Sequence, residues 1–178
     1  MQILSPRPAD LGDAAAIADI HVRSWRDAYA SVLDPEYLAG PIEADRLTLW
    51  SDRLKQPPEN QVVQVAETPD RQVVGFICSH QDKDERWGTW IDNLHVLPTM
   101  RGHKIGERLF CGAAIISEAR SSIGGIYLWV FEANTSAIRF YERLGGNIVG
   151  RDHSKIPAAR GAVILRMHWP SGKDMLSR

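Results

Sequence analysis

The sequence has little of the residues that most directly announce chemistry. Two of its 178 residues are cysteine, Cys78 and Cys111. Both sit inside apolar runs and form no CxxC or other metal-ligand spacing, so buried, reduced thiols are expected and no metal is called for. No apolar run approaches the roughly 20 residues that a membrane-crossing helix needs. Neither charge dominates: 21 Lys and Arg stand against 22 Asp and Glu, a net charge of −1, which removes the basic excess that marks bulk nucleic-acid binding. The start, "MQILSPRPADLGDAA", has no basic stretch leading into an apolar region, so no signal peptide is expected. Two phosphate motifs are also missing, GxxxxGK(S/T) and GxGxxG. The expectation is a cytoplasmic protein with no nucleic-acid or membrane partner, folded as one domain over 1–178, a usual domain length.

What is present reads as a mixed α+β chain. "QILSPR" (2–7) reads as an edge strand. From Asp10, apolar residues recur at three- and four-residue spacing through Ile17, Val22, Trp25 and Tyr29, predicting a helix. The stretch 33–41 reads as a broken turn region, and 42–55 as a second helix ended by "QPPEN". β-Branched runs at 61–67 and 72–80 flank "TPDR" and predict a hairpin. A polar loop (82–87), a third strand (88–96), a helix from about Gly102 to Ala119, and a buried strand (126–132) follow. Asn134 is a suitable cap for a helix running to Leu144, and strands at 147–151 and 161–169 close the chain. This order predicts a mixed, mostly antiparallel sheet flanked by helices rather than a regular alternation.

Between the third strand and its helix lies "VLPTMRGHKIG". A helix start offers unpaired N–H groups and partial positive charge, so phosphate is its natural guest. Arg101, His103 and Lys104 add local positive charge, while Gly102 and Gly106 let backbone approach an anion. The same loop also fits a plain turn with solvated basic residues. In the later helix, Asn134 and Tyr141 are seven residues apart and share a face. If the two strands preceding these helices splay, a ligand can thread between them.

These two stretches together resemble the GNAT superfamily of acetyl-coenzyme A-dependent N-acetyltransferases. The loop is similar to that family's pyrophosphate pattern (Q/R)-x-x-G-x-(G/A), with Arg101 first and Gly106 last. "LWVFEANTSAIRFYERLGG" is similar to its later motif at Leu128, Val130, Asn134, Ala137, Tyr141 and Gly145. Two positions depart: Lys104 replaces the middle glycine, and Gly146 replaces a frequent aromatic. Lysine fits the middle position if its backbone stays at negative φ; the change at Gly146 removes a core side chain.

The resemblance implies acetyl-CoA as co-substrate and direct transfer to a primary amine of a small molecule or peptide. It implies that Leu94, His95 and Val96 hydrogen-bond the pantetheine arm and that Arg101 to Gly106, including Ile105, hold the pyrophosphate, with Asn134 beside them. Tyr141 matches the family's general acid. Asp92 and His95 are candidates for the base, with Glu132 or a water chain as others; plain alternation puts Asp92 and His95 on opposite faces unless the strand bulges. Trp25 and Tyr29, with His21, form a stripe where the family builds its acceptor pocket, and Trp87 and Trp90 are further candidates for a wall. Homodimers occur in the family. The rival reading is an inactive member that binds acyl-CoA as a sensor or partner module.

Overall fold

The computed structural model describes residues 5–171. A short strand β1 (Arg7–Pro8) leads through a 3-10 turn into α1 (Ala14–Ala28). Reciprocal capping fixes that turn: Asp10 accepts from Gly12 N, and Asp10 N donates to Asp13 Oδ2. Arg7 donates to both Asp13 and Glu67, tying the helix start to the sheet. Of the strand expected over 2–7, only Arg7 is in β1; Ser5 and Pro6 are outside it, and 2–4 lie outside the described residues.

The region read as broken turns holds a short helix, α2 (Pro35–Ala39). Asp34 caps it by accepting from Glu36 N at 2.9 Å, and Pro35 occupies the first helical position. Helix α3 (Ile42–Lys55) has Glu43 and Asp45 in its first turn and Arg53 and Lys55 in its last, in accord with the helix dipole. A meander follows, β2 (Gln61–Glu67), β3 (Val73–Asp84) and β4 (Gly88–Val96). The start of the predicted polar loop belongs to β3. Its Asp82, at φ 47°, accepts from the N–H groups of Ser122 and Ile123 and is thereby anchored to the turn that follows the next helix. The rest is α4 (Ile105–Arg120), β5 (Ile126–Phe131), α5 (Thr135–Arg143), β6 (Asn147–His153) and β7 (Val163–Trp169).

The seven strands form one sheet in the order β1-β2-β3-β4-β5-β7-β6. Every pairing is antiparallel except β4 with β5. Helix α4 packs on one face; a Cβ built on Gly75 of β3 would sit 3.2 Å from Ile105 and Leu109. Helices α1 and α3 cover the other face over β3 and β4, where Trp50 packs edge-on against Phe76 at 4.9 Å.

Two local features position the site. First, the β3/β4 register slips by one residue: Cys78 pairs with Asn93 and Ser79 with Ile91, leaving Asp92 as a bulge. Second, the aromatic missing at position 146 is supplied from elsewhere. The Trp169 ring lies where a Cβ on Gly146 would be, 2.4 Å from its built position. Its indole N–H donates to Leu144 O at 3.0 Å, and the ring packs on Phe110 and Tyr141.

Candidate active site

β4 and β5 pair only over Thr89–Ile126, Trp90–Tyr127 and Ile91–Leu128. Beyond Ile91 the strands part, at the Asp92 bulge. Bulges bend a strand and increase its twist, so the extra residue accounts for the divergence. Past that point β4 presents backbone N–H and C=O groups that β5 does not take up, an edge suited to an extended ligand. The opening is a cavity of about 950 Å³. Gly106, Phe140 and Tyr141 line it from the α4/α5 side, and Ser24, Tyr29 and Asp92 from the α1/α3 side. It therefore runs through the sheet. Leu94, His95, Val96, Arg101, Gly102, Lys104, Ile105 and Asn134 also line it, whereas Trp25 and His103 do not.

At the loop, α4 begins at Ile105, later than the spacing predicts. Gly102 has φ 82° and Lys104 φ 58°, both outside the helical region. Lys104 is therefore left-handed, which corrects the expectation of a negative φ. A lysine there bears a steric cost of roughly 1–2 kcal/mol that glycine avoids, which explains the glycine of the resembled pattern. No side chain caps α4, so its first-turn N–H groups are left for water or an anion. The Arg101 guanidinium pairs with Asp27 of α1, across the mouth of the cavity. His103 is exposed and turns back on its own loop, its Nδ1 3.1 Å from Arg101 O. A Cβ on Gly106 would meet Phe140 at 3.4 Å and Val96 at 3.8 Å, so this glycine keeps the cleft wall open.

On α5, Asn134 accepts from Ala137 N at 3.1 Å, the cap its residue type suggests. Tyr141 is 9% exposed and packs against Phe110, Phe140 and Trp169. Burial, with Tyr29 adding to it, holds its phenol well above the usual value, so it is neutral and proton-bearing at ordinary pH. Burial also raises Tyr29, with Asn134 and Arg101 opposing.

On the opposite face the bulge brings Asp92 and His95 together. Both point toward α1 and α3: Arg53 donates to Asp92 Oδ2 at 2.6 Å, and Ser24 Oγ lies 2.9 Å from His95 Nδ1. Burial pushes Asp92 up, but His80 and Arg53 outweigh it and leave the carboxyl below its ordinary value. His95 stacks on His21 at 4.7 Å. Burial, Arg101 and Arg46 push it down to about 4 against the pull of Asp92. His21 is also well below its ordinary value through burial, and its Nδ1 accepts from Trp50 Nε1 at 3.0 Å. Its proton therefore sits on Nε2, which has no partner among the described residues. Cys78, His80 and Asp92 bring one ligand atom each within 4.8 Å. There Arg53 already neutralises the carboxylate, and burial raises the thiol to about 12.

Trp25 is enclosed, 7% exposed, between His21 and Tyr29. Glu132 pairs with Arg151 at 2.9 Å and does not line the cavity. Trp90 stacks on His80. Sequence reading missed Ser24, Asp27, Trp129 and Phe140, all of which line the cavity. Ser24 lies one helical turn from His21 and was within reach of the same helical-face argument; Asp27 carried no local signal.

The acetyltransferase (GNAT) family model matches residues 15–146. The uncharacterized N-acetyltransferase YuaI of Bacillus subtilis (strain 168) is 24% identical over 173 residues, covering 94% of both chains. The peptidyl-lysine N-acetyltransferase YjaB of Salmonella typhimurium (strain LT2) is 29% identical over 127 residues, covering 71% of this chain and 74% of its own. Among solved structures, the PaiA N-acetyltransferase of Thermoplasma acidophilum, in complex with coenzyme A, superposes with a TM-score of 0.76 at 19% identity. That superposition covers 95% of this chain and 100% of the other.

Proposed function

The chain belongs to the acetyltransferase (GNAT) family and is an acyltransferase, and from that premise we propose that it moves an acetyl group from acetyl-coenzyme A to a primary amine of a small molecule or peptide by direct attack. The observation that carries this reading is the opening between β4 and β5, with an uncapped helix start at one end and a buried tyrosine along it. The coenzyme A complex of the PaiA structure and the peptidyl-lysine activity named for the Salmonella relative support it.

In this reading the whole chain, 1–178, serves one catalytic domain. Backbone N–H groups at the start of α4, with Arg101 to Gly106, hold the pyrophosphate. The free edge of β4 at Leu94, His95 and Val96 takes the pantetheine arm as an added strand and aims backbone N–H groups at the thioester oxygen. The amine nitrogen attacks the thioester carbon and the C–S bond breaks. Tyr141 gives its proton to the departing thiolate and is reprotonated from solvent. Asp92, anionic beside Arg53, draws the acceptor's ammonium into the vertex of the cleft, and the ammonium proton leaves through water to solvent. His95 is too weak a base to take an ammonium proton outright: an alkylamine near 10 and an imidazole at about 4 are mismatched by roughly 6 units, about 8 kcal/mol. Tyr29 closes the acceptor side.

Calorimetry with acetyl-coenzyme A, followed by thiol release against a panel of primary amines, tests this. The expected result is saturable binding and turnover with at least one amine. Ligand at 100 times its dissociation constant stabilises the fold by about 2.7 kcal/mol. The absence of both binding heat and a melting shift at millimolar coenzyme overturns the reading.

A further inference from the structure

Helices α1 and α3 lie over β3 and β4, and the α1–α2 region reaches Phe131 and Ile164. Farther along β5 and β7, the same sheet face is occupied by side chains standing in a row. Trp129 and Arg166 are paired positions on adjacent antiparallel strands, so both project from this face. The Arg166 guanidinium lies over the Trp129 ring at 4.5 Å and over the Trp87 ring at 4.9 Å. It is held against both indoles, and the Arg86 guanidinium also lies over the Trp87 ring, at 4.5 Å. Trp87, Trp129, Arg166 and His168 are each half-buried.

Among the described residues this arginine has no carboxylate partner. None of the ion pairs among the described residues includes it, and its buried Nε has no hydrogen-bond partner. By contrast Arg53 and Arg101, which border the same region, are both paired with aspartates. A guanidinium stacked against aromatic rings keeps its in-plane N–H groups available, and its flat fork matches a carboxylate. The clamp also fixes the plane in advance, so little side-chain freedom is lost when an anion arrives.

Position connects the clamp to the cleft. Trp129 lines the cavity directly after Leu128, the last β5 residue paired to β4, and Asp92 lines it directly after Ile91. Asp92 and Trp129 thus flank the vertex of the opening on the α1/α3 side, and Arg166 stands one strand beyond. Two strand spacings amount to roughly 10 Å between paired strands, and the parting of β4 from β5 at Asp92 makes the separation of Asp92 from Arg166 at least that.

We propose that Arg166, held against Trp87 and Trp129, is the carboxylate anchor of the acceptor, so that the accepted amine belongs to a molecule bearing a carboxylate at least roughly 10 Å from its nitrogen, the length of three or more extended residues. The assignment rests on the acetyl transfer proposed above. It adds a substrate class, amino carboxylates of short-peptide length, and a residue outside the cavity's own lining that selects it.

The test compares diglycine, triglycine and tetraglycine as free acids and as C-terminal amides. Each is titrated by calorimetry into the coenzyme A-loaded protein and assayed for thiol release with acetyl-coenzyme A. The acid of the fitting length is expected to bind at least tenfold more tightly than its amide, and its KM to be lower by the same factor. Arg166→Gln is expected to bring the acid down to the level of the amide while leaving amide binding and coenzyme affinity unchanged. Arg166→Lys is expected to restore part of the preference. Equal binding of acid and amide by the parent protein overturns the proposal, as does a preference that survives Arg166→Gln, or failure of both forms to bind at millimolar concentration. Acid-selective binding without any turnover sustains the anchor and rejects acetyl transfer, so the two readings fail separately.

Discussion

The two mouths of the cleft are built from different materials. On the α4/α5 side the wall is mostly backbone: a loop with two left-handed residues, an uncapped helix start, a glycine facing Phe140, and the free edge of β4. On the α1/α3 side it is side chain: Asp92 held by Arg53, His95 against Ser24 and His21, and Arg101 drawn over to Asp27. A backbone wall suits a ligand that never changes, because it tolerates substitution of most side chains. A side-chain wall is where one acceptor can be exchanged for another.

The largest expected effect tests the boundary between the walls. Tyr141 sits between them, and Tyr141→Phe keeps the ring packing while removing the proton. Turnover is expected to fall by roughly 10²–10⁴ with little change in coenzyme affinity. Steady-state rates beside calorimetry check it, and an unchanged chemical step would return Tyr141 to the core.

Next in size is a pH effect confined to the side-chain wall. An unfolded histidine takes a proton near 6.5, whereas folded His95 does so only at about 4. Between those values the unfolded chain binds more protons, so stability is intact above 6.5 and declines as pH falls toward 4. At pH 5 this one group accounts for up to about 2 kcal/mol. His95→Gln should flatten the decline by that amount, as read from urea midpoints at pH 7 and pH 5. His21, shifted the same way by burial, keeps part of the slope.

The smallest effects divide the backbone wall itself. Gly106→Val pushes branched carbons toward Phe140 and Val96 and should weaken coenzyme binding more than tenfold, above about 1.4 kcal/mol. Lys104→Gly should act in the opposite sense. Relief of the left-handed lysine raises stability by about 1 kcal/mol, and the coenzyme dissociation constant moves less than tenfold. Thermal melts and calorimetry at two salt concentrations separate the two. If Lys104→Gly abolishes binding, the loop grips by side-chain charge.

This division also explains what could be read from the sequence. The mixed sheet, the helix at 42–55, the Asn134 cap and the loop before α4 were legible because each depends on local signals: spacing, a capping residue, glycine. Helix α2 was missed because proline and glycine around it read as breakage, although Asp34 and Pro35 are helix-start residues. The strand at 82–84 was missed because polar residues there are held by Asp82 and residues some forty positions away. The departure at Gly146 read as a lost core side chain, whereas Trp169 fills that volume from the last strand. Tertiary exchange of this kind leaves no trace in a window of neighbouring residues. The Arg53–Asp92 and Arg101–Asp27 pairs were invisible for the same reason.

The bulge at Asp92 carries a consequence for how such a protein can vary. Side chains alternate along a strand with a period of two, so one inserted residue reverses the parity of everything after it. Here that single insertion sets Asp92 and His95 on one face and coincides with the point where β4 leaves β5. The opening is therefore a matter of count rather than of chemistry, comparable to a reading frame. Substitutions along β4 can tune what enters the cleft, but deleting one residue between Ile91 and Leu94 would restore unbroken pairing with β3 and remove the bulge at the point where the strands part. Over evolutionary time this stretch should accept replacement far more readily than any change in length.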